Sequence, residues 1–205
     1  MNDARDTALI VIDVQNDFCP GGALAIDKGD EVVTPINRLM NRFNNILFTQ
    51  DWHPDDHVSF AVNQPNAAPF ETIELDYGPQ TLWPPHCIMN SSGADFHPDL
   101  HQGSCQMIVR KGFRSAIDSY SAFFENDHVT ATGLHGYLKD RSISSVVLVG
   151  LATDYCVAWS AIDAAGLGIN TTVVLSACRA IDLEGSLAAQ IDAMKQAGVN
   201  VVEEL

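Results

Sequence analysis

The sequence has no feature of a membrane-spanning or secreted chain and little positive charge. No apolar run approaches the roughly 20 residues that cross a bilayer. The N-terminus, MNDARD followed at once by an apolar run, lacks the basic region, apolar region and cleavage site of a signal peptide, so we expect none. Because 26 acidic residues stand against 11 basic ones, the net charge of −15 repels nucleic acid and anionic membranes, and we expect neither as a partner.

A disulfide framework and internal repeats are also missing. The chain has five cysteines, an odd number at scattered positions, which fits a reducing cytoplasm better than an oxidising compartment. Apolar residues are abundant: 46% of the 205 residues are hydrophobic, which excludes a disordered protein. A core of this size needs no cross-links, so we expect a single domain over residues 1–205.

Short apolar runs alternate with helical patterns along the chain. Five nearly continuous runs predict strands buried on both faces, at residues 8–13, 45–50, 106–111, 146–150 and 171–176, and a weaker sixth run lies near the C-terminus. Helical spacing of apolar residues covers residues 31–43, 153–168 and 184–197. This alternation predicts a three-layer α/β fold of Rossmann type, with a mostly parallel sheet covered by helices on both faces.

Reactive side chains stand where these strands end. Asp13 and Lys111 close two of the runs, Asp51 directly follows another, and Cys156 comes soon after the fourth. The carboxyl ends of parallel strands lie at one edge of a sheet, where ligands bind in open α/β sheets. The long, Pro-rich segment of residues 51–105 begins at one of these ends, and such long loops are usually functional. We therefore expect these four side chains to converge at one edge of the sheet.

Cys156 is the candidate nucleophile. If Thr153 caps the following helix, Cys156 lies in its first turn, where free N–H groups, the helix dipole and a nearby cation lower a thiol pKa from about 8.5. Asp13 is then the general base, and Lys111 stabilises both anions. The alternatives are a small buried hydrophobe for Cys156, and a loop cap or an ion-pair partner for Asp13. Cys19 precedes a Pro-Gly-Gly turn rather than a helix, so it ranks below Cys156.

A candidate metal site follows the second predicted strand. Asp51 and His53 in QDWHPDDH are alternate residues, so both side chains of an extended chain point toward one cation, and His57 lies four residues further on. Another imidazole is His86 in WPPHC, where two prolines fix the backbone. Carboxylate and imidazole ligands suit one divalent ion, Zn²⁺, Mn²⁺ or Fe²⁺, whereas the alternative is a polar loop with surface histidines. Cys87 is not expected to bind the ion, because adjacent side chains of an extended segment diverge.

Phe18 and Trp83 are candidate walls of a substrate pocket. Each lies in a loop that is connected to these strand ends. The alternative for each is ordinary packing in the core, which is the commoner role of a single aromatic side chain.

Six short motifs occur in a fixed order along almost the whole chain: IDVQNDFCPGGAL, TQDWHPDDHVSF, WPPHC, GADFHPDL, RKG and VGLATDYCV. Together they resemble the nicotinamidase family, within the isochorismatase-like cysteine hydrolases. The resemblance implies a six-stranded parallel sheet with helices on both faces. It also implies a metal site at Asp51, His53 and His86, and His57 matches a position that some members use as a fourth protein ligand.

The same resemblance assigns catalytic groups. It implies a triad of Asp13, Lys111 and Cys156. The GLATDYC segment resembles the family's oxyanion loop, in which the N–H groups of Ala152 and Cys156 hold the oxyanion. In that loop the peptide bond before the alanine, here between Leu151 and Ala152, is cis, and Leu151 is placed in the substrate site.

The implied activity is hydrolysis of nicotinamide to nicotinate and ammonia through a cysteine thioester. The ring of this small aromatic amide is expected between Phe18 and Trp83, with pyrazinamide as a second substrate. The implied role is NAD salvage, part of pyridine nucleotide biosynthesis, in the cytoplasm. A homo-oligomer is left open.

Three other activities are compatible with parts of the pattern. A related cysteine amidase would act on N-carbamoyl or ureido compounds. An isochorismatase would act on a vinyl ether, although that chemistry does not require Cys156. A catalytically silent metal-binding or interaction domain would keep the fold without needing Asp13, Lys111 and Cys156 together, because fold alone does not set function.

Overall fold

The computed structural model describes residues 6–205; the first five residues, to which the expectation about a signal peptide partly applies, lie outside the described part. The strands are β1 (Thr7–Ile12), β2 (Asn45–Asp51), β3 (Thr72–Leu75), β4 (Gly78–Thr81), β5 (Met107–Lys111), β6 (Ser145–Leu151), β7 (Asn170–Arg179) and β8 (Asn200–Val202). The α-helices are α1 (Val33–Met40), α2 (Leu134–Asp140), α3 (Ala158–Gly166) and α4 (Ser186–Gln196).

Six of the strands form one parallel sheet in the order β5-β2-β1-β6-β7-β8, and β3 pairs with β4 in a separate antiparallel hairpin. With the helices, this sheet makes the three-layer α/β fold that the sequence predicts, which confirms that prediction. The strands are apolar because both faces of the sheet are covered, and every residue of β6 is buried. None of the helices in residues 6–205 combines the length and the apolar character that crossing a membrane requires.

The predicted runs coincide with strands of this sheet, and their ends differ by at most three residues. The helical pattern at residues 31–43 divides into a 3-10 turn (Gly29–Val32) and α1. Helix α3 follows a wide π-helical turn (Thr153–Val157) whose N-cap is Ala152, so Thr153 is the first helical residue and not the expected cap. Helix α2 and the β3–β4 hairpin are not predicted, because both are short and β3 is only partly buried.

The order of the strands places a topological switch point between β1 and β6. From β1 the chain adds β2 and β5 on one side of the sheet, and it later adds β6, β7 and β8 on the other side. Ligands in open α/β sheets bind at such a point, beyond the carboxyl ends of the strands. β1 leads directly into Asp13, and β6 leads into the turn that carries Cys156. The fold therefore brings these two residues together at the switch point.

The close contact of β1 and β6 provides a test of this arrangement. Gly150 has a φ of +120°, and an added Cβ would lie 2.1 Å from the carbonyl oxygen of Ile12 on the neighbouring strand. We expect Gly150→Ala to lower the free energy of unfolding by about 2–4 kcal/mol, because the backbone conformation and the strand spacing must both change. Urea unfolding at equilibrium measures the difference.

The matched control is Gly166→Ala at the end of α3. An added Cβ there meets no atom within 4 Å, and alanine is the better helix former. A similar loss of stability in both variants would contradict the expectation for Gly150.

Candidate active site

The three residues predicted as a triad meet at the switch point. Nζ of Lys111 lies 2.8 Å from Oδ2 of Asp13 and 3.3 Å from Sγ of Cys156, and it donates to the carbonyl oxygen of Ser119 at 3.0 Å. All three side chains are buried; Lys111 is 1% exposed and Cys156 is 6% exposed. The carboxylate, the ammonium and the thiol thus share a site with little access to water, where electrostatic interactions are strong.

Asp13 is oriented by Thr49, a residue of β2 that sequence reasoning misses. The Thr49 hydroxyl donates to Oδ1 of Asp13 at 2.6 Å and accepts the backbone N–H of Asp13 at 3.2 Å. Oδ2 remains for the ion pair with Lys111, and a carboxylate oxygen of Asp13 lies within 4.8 Å of the sulfur of Cys156. The carboxylate is therefore fixed beside both the ammonium and the thiol.

The buried environment gives these groups different proton affinities. Burial, and then the nearby Asp51 carboxylate, raise the pKa of Asp13 to about 6 against the opposing effect of Lys111. Burial alone would lower the pKa of Lys111, but Asp13 and Asp51 raise it well above its ordinary value, so the ammonium stays charged.

The thiol of Cys156 does not have the low pKa expected from its position on the helix. Burial raises its pKa well above the ordinary value, and this effect outweighs that of the Lys111 cation. The sequence-based expectation of a lowered pKa is wrong in the resting site. In the resting site Cys156 therefore carries a neutral thiol beside the carboxyl group of Asp13, whose pKa is about 6.

Asp51 joins this group to a second cluster. Its Oδ1 forms a short ion pair with Lys111, and its Oδ2 lies 3.7 Å from Nε2 of His53. Although burial raises its pKa, Lys111 and His53 hold the pKa of Asp51 below its ordinary value. The buried side chain of Gln15 fixes the backbone here, because its amide donates to the carbonyl of Asp51 and accepts the N–H of Asp51, each at 2.8 Å.

The candidate metal ligands Asp51, His53 and His86 offer ligand atoms that lie within 4.8 Å of one another. Nδ1 of His53 lies 2.9 Å from the carbonyl oxygen of Gly112, and Nδ1 of His86 lies 2.8 Å from that of Pro84. A carbonyl can only accept, so each Nδ1 carries a proton, and in the neutral imidazole each Nε2 keeps a lone pair. The Asp51 carboxylate that faces Nε2 of His53 raises the pKa of His53, although burial opposes the rise. Metal-binding histidines are oriented in this way by backbone carbonyls. The buried donor set fits a divalent metal ion.

His57 adjoins this cluster but has other partners for both ring nitrogens. Nδ1 lies 2.7 Å from Oγ of Ser59, and Nε2 lies 3.2 Å from the carbonyl oxygen of Ile117. Because Nε2 faces a carbonyl, it carries the proton and has no lone pair for a metal. Burial lowers the pKa of His57 and of His86 to about 4, so both are neutral near neutral pH. The geometry favours three protein ligands over four.

A pocket opens beside Cys156 and the histidines. Its lining includes both aromatic residues expected as walls, Phe18 and Trp83. The Phe18 ring is tilted against His86, with ring centroids 5.4 Å apart. Nε1 of Trp83 donates to the hydroxyl of Tyr120 at 3.2 Å, which fixes the indole. These aromatic walls suit a flat ring whose polar substituent faces the thiol.

The turn before Cys156 carries the predicted oxyanion loop. The peptide bond between Leu151 and Ala152 is cis, and Ala152 lines the pocket. The carbonyl oxygen of Ala152 accepts the N–H groups of Tyr155 at 3.2 Å and Val157 at 3.1 Å, on either side of Cys156. Leu151 itself is buried in the core and is not among the residues that line the pocket, so the structure gives no support to its predicted contact with substrate.

Asp17 ties together the loops that carry Phe18 and His86. Its carboxylate accepts the backbone N–H of Cys87 at 2.7 Å. An added Cβ at Gly93 would lie 2.1 Å from the same carboxylate, so only glycine allows the loop to pass this close. One aromatic wall and one imidazole are therefore held in a fixed relation.

Sequence reasoning misses several polar and aromatic residues of the site: Gln15, Asp17, Thr49, Asp118, Tyr120 and Tyr155. Asp118 lines the pocket, lies within reach of His53 and His57, and accepts a hydrogen bond from Nε2 of Gln80 at 2.8 Å. Four of the six lie in the quoted motifs: Gln15 and Asp17 in IDVQNDF, Thr49 at the start of TQDWHPDDHVSF, and Tyr155 directly before Cys156, so motif neighbours were the available signal. Asp118 and Tyr120 come from a loop where nothing in one sequence separates them from ordinary residues.

The fold and the site together are those of an α/β hydrolase. The chain belongs to the isochorismatase family, and within it to the nicotinamidases. The isochorismatase domain matches residues 7–204. The nicotinamidase of Acinetobacter baylyi is 52% identical over 199 residues, which cover 97% of this chain and 93% of that protein.

Solved structures agree with this placement. The nicotinamidase and pyrazinamidase of Acinetobacter baumanii has a TM-score of 0.96 at 55% identity, covering 97% of this chain and 96% of that one. The L. infantum PnC1 structure, in complex with nicotinate, has a TM-score of 0.85 at 33% identity, covering 97% and 93%. The pyrazinamidase of Pyrococcus horikoshii, in complex with zinc, has a TM-score of 0.78 at 31% identity, covering 97% and 99%.

Replacement of Lys111 tests the electrostatic balance of the site. Lys111→Met leaves Asp13 and Asp51 buried without their shared cation, so we expect the free energy of unfolding near neutral pH to fall by about 3–5 kcal/mol. The loss should shrink on acidification, because a carboxylate whose folded-state pKa is raised stabilises the fold when protonated and loses that stability as the pH rises through this pKa. Urea unfolding of chelator-treated protein at neutral and at acid pH measures both effects.

The control is Lys139→Met, at an exposed position of α2. Surface substitutions of this kind usually change stability by less than about 0.5 kcal/mol. Equal stability of the two variants would refute the role given to Lys111.

Proposed function

We propose that the protein hydrolyses nicotinamide to nicotinate and ammonia, with Asp13, Lys111 and Cys156 as its catalytic residues. The observation that carries this proposal is a buried ammonium, Nζ of Lys111, that lies 2.8 Å from the Asp13 carboxylate and 3.3 Å from the Cys156 sulfur, at the wall of a pocket with aromatic sides. The identity of 52% with a nicotinamidase over 97% of the chain supports it. Pyrazinamide, which differs by one ring atom, is the proposed second substrate.

Asp51, His53 and His86 are the proposed ligands of one divalent ion, Zn²⁺, Fe²⁺ or Mn²⁺. An ion held by these residues would supply a Lewis acid for the ring nitrogen of a pyridine carboxamide. Three protein ligands leave positions free for water or substrate, as in catalytic rather than structural sites. The zinc in the Pyrococcus horikoshii pyrazinamidase supports an ion of this kind. We leave His57 out of the ligand set because Ser59 and Ile117 occupy its nitrogens.

The first half of the proposed reaction forms a thioester. Asp13 accepts the proton of the Cys156 thiol, and the sulfur bonds to the amide carbon while the carbonyl electrons move to the oxygen. We assign the N–H groups of Ala152 and Cys156 to this oxyanion, an interaction commonly worth roughly 3 kcal/mol per donor. Protonated Asp13 then gives its proton to the amide nitrogen as the carbon–nitrogen bond breaks, because ammonia leaves far more readily than amide anion. Lys111 stays charged and stabilises first the carboxylate of Asp13 and then the thiolate of Cys156.

The second half restores the thiol. Asp13, again a carboxylate, takes a proton from a water molecule whose oxygen bonds to the thioester carbon. The intermediate then expels the Cys156 sulfur with the electrons of the carbon–sulfur bond, and Asp13 returns the proton to the sulfur. One carboxylate acts alternately as base and acid, which a pKa of about 6 allows near neutral pH.

The three alternative activities explain fewer of the features of this site than nicotinamide hydrolysis does. A silent domain does not require a thiol, a carboxylate and an ammonium within hydrogen-bonding reach, and an isochorismatase reaction makes no use of Cys156. The walls formed by Phe18 and Trp83 favour a flat aromatic amide over N-carbamoyl or ureido compounds. We further propose that residues 1–205 form one hydrolase domain, and that the enzyme serves NAD salvage in the cytoplasm, where its free cysteines stay reduced.

Removal of the nucleophile tests the proposal directly. Cys156→Ala should lower ammonia release from nicotinamide by at least ~10³-fold, because no other group can form the thioester. A coupled ammonia assay measures turnover, and mass spectrometry measures bound metal, which should be unchanged. Cys178→Ala, at another buried cysteine outside the pocket, should keep most of the activity. Substantial turnover by Cys156→Ala would refute the assignment.

The pH dependence follows from Asp13. Only its carboxylate form accepts the thiol proton, so kcat/KM for nicotinamide should fall about tenfold per pH unit below about pH 6, which is the pKa of this group. The measurement is a pH profile in excess metal, with bound metal determined at each pH, since the imidazoles also take up protons in acid. A kcat/KM that stays constant well below pH 6 while the metal is retained would exclude Asp13 as the base.

A further inference from the structure

Asp154 is a buried carboxylate that takes no part in the proposed reaction. It lies in the turn that carries Cys156 and is 1% exposed, yet it does not line the pocket. Its Oδ1 accepts the N–H of Ile181 at 3.0 Å, and its Oδ2 accepts the N–H of Asp182 at 2.7 Å. The hydroxyl of Ser186 also donates to Oδ2.

Two of these donors belong to the segment that connects β7 to α4, and the third, Ser186, is the first residue of α4. The segment turns sharply, and three of its residues have a left-handed backbone: Asp182, Glu184 and Gly185. Ile181, at the start of the turn, lines the same pocket as Cys156. The Asp154 carboxylate therefore connects the turn of the nucleophile to a wall of the pocket.

Tyr155 strengthens this connection from the next position in the chain. The side chains of Ser186 and Thr81 lie close enough to its hydroxyl to oppose the rise in its pKa that burial causes. Its ring packs edge-on against Trp83, with ring centroids 4.9 Å apart. The pocket walls formed by Tyr155, Trp83 and Ile181 are thus linked through two consecutive residues just before the nucleophile.

The anchor requires a carboxylate rather than an amide. The two oxygens of Asp154 accept three hydrogen bonds, whereas an asparagine has one acceptor oxygen and an NH₂ group. In either orientation the NH₂ of Asp154→Asn would face a donor, either the N–H of Ile181 or the N–H of Asp182 with the Ser186 hydroxyl. A buried donor without an acceptor is unfavourable, so the turn would detach on that side.

We propose that Asp154 is a positioning residue that sets substrate specificity: it holds the 181–186 turn so that Ile181 limits the pocket to amides of a single aromatic ring. When the turn is held in place, the Ile181 side chain excludes a second fused ring by steric contact. When the turn is detached, Ile181 can move and the larger amide can bind. The inference deepens the proposed function and rests on it for the nature of the substrate.

The experiment compares nicotinamide with quinoline-3-carboxamide, which adds one fused ring, in wild-type, Asp154→Asn, Ser186→Ala and Ile181→Ala enzymes. The ratio of kcat/KM for the smaller amide to that for the larger one should fall at least tenfold in Asp154→Asn and Ile181→Ala. Ser186→Ala removes one donor of three and should lower the ratio by about threefold. Asp192→Asn, at an exposed position of α4, is the matched control and should leave the ratio unchanged.

Amide hydrogen exchange supplies a readout that is independent of catalysis. Residues 180–186 should exchange at least tenfold faster in Asp154→Asn than in wild type, while the strands of the sheet keep their protection. Unchanged exchange in this segment would overturn the anchoring role, even if the wild-type enzyme failed to hydrolyse nicotinamide and the proposed function were lost.

The ratio of kcat/KM for nicotinamide to that for quinoline-3-carboxamide tests the role in specificity. Equal losses for both amides in Asp154→Asn would mean that the residue supports only the fold or the nucleophile, and the inference would be overturned. If Asp154→Asn does not fold, Ser186→Ala and Ile181→Ala decide: an unchanged ratio in both would overturn it, and a lowered ratio in both would support it.

Discussion

The ammonium group of Lys111 holds together the charges on which the site depends. It lies against the carboxylates of Asp13 and Asp51 and the sulfur of Cys156, where little water is available to solvate any of them. Two carboxylates this close cannot both ionise easily without a cation between them. With the cation in place, Asp51 remains an anion and Asp13 keeps a pKa of about 6. Environment thus gives two identical side chains different roles, one as a permanent charge and one as a group that exchanges a proton.

Asp51 also makes the two halves of the site interdependent. One of its oxygens faces Lys111 and the other faces His53, so the metal-type donor set and the nucleophile share one anion. Backbone carbonyls fix the imidazole tautomers, and Gln15 fixes the backbone of Asp51. Most of this geometry is set by main-chain groups of packed loops, which hold side chains more firmly than solvent-exposed contacts do. The site is therefore organised by the fold before any ligand binds.

Much of this arrangement could be predicted from the sequence, because buried parallel strands are continuous apolar runs and their ends share one edge. That rule alone brings Asp13, Lys111 and Cys156 together. The rule does not predict the contacts of a side chain that depend on how strands pair and loops pack. Thr49 lies inside an apolar strand, and only the observed register turns its hydroxyl toward Asp13. His57 has the spacing of a ligand, yet folding of its loop gives both ring nitrogens other partners. The thiol pKa likewise follows from burial, which local sequence signals do not report.

The neutral thiol of Cys156 also has a low reactivity toward oxidants in the resting site. Peroxides and alkylating agents react with thiolates far faster than with thiols, and they need access to the sulfur. Burial keeps the proton on this sulfur and leaves Cys156 only 6% exposed. In the proposed reaction, the same burial makes Asp13 necessary for attack and disfavours the thiolate that oxidants attack. The low reactivity of the free thiol and its dependence on Asp13 in the proposed reaction both follow from the burial of Cys156.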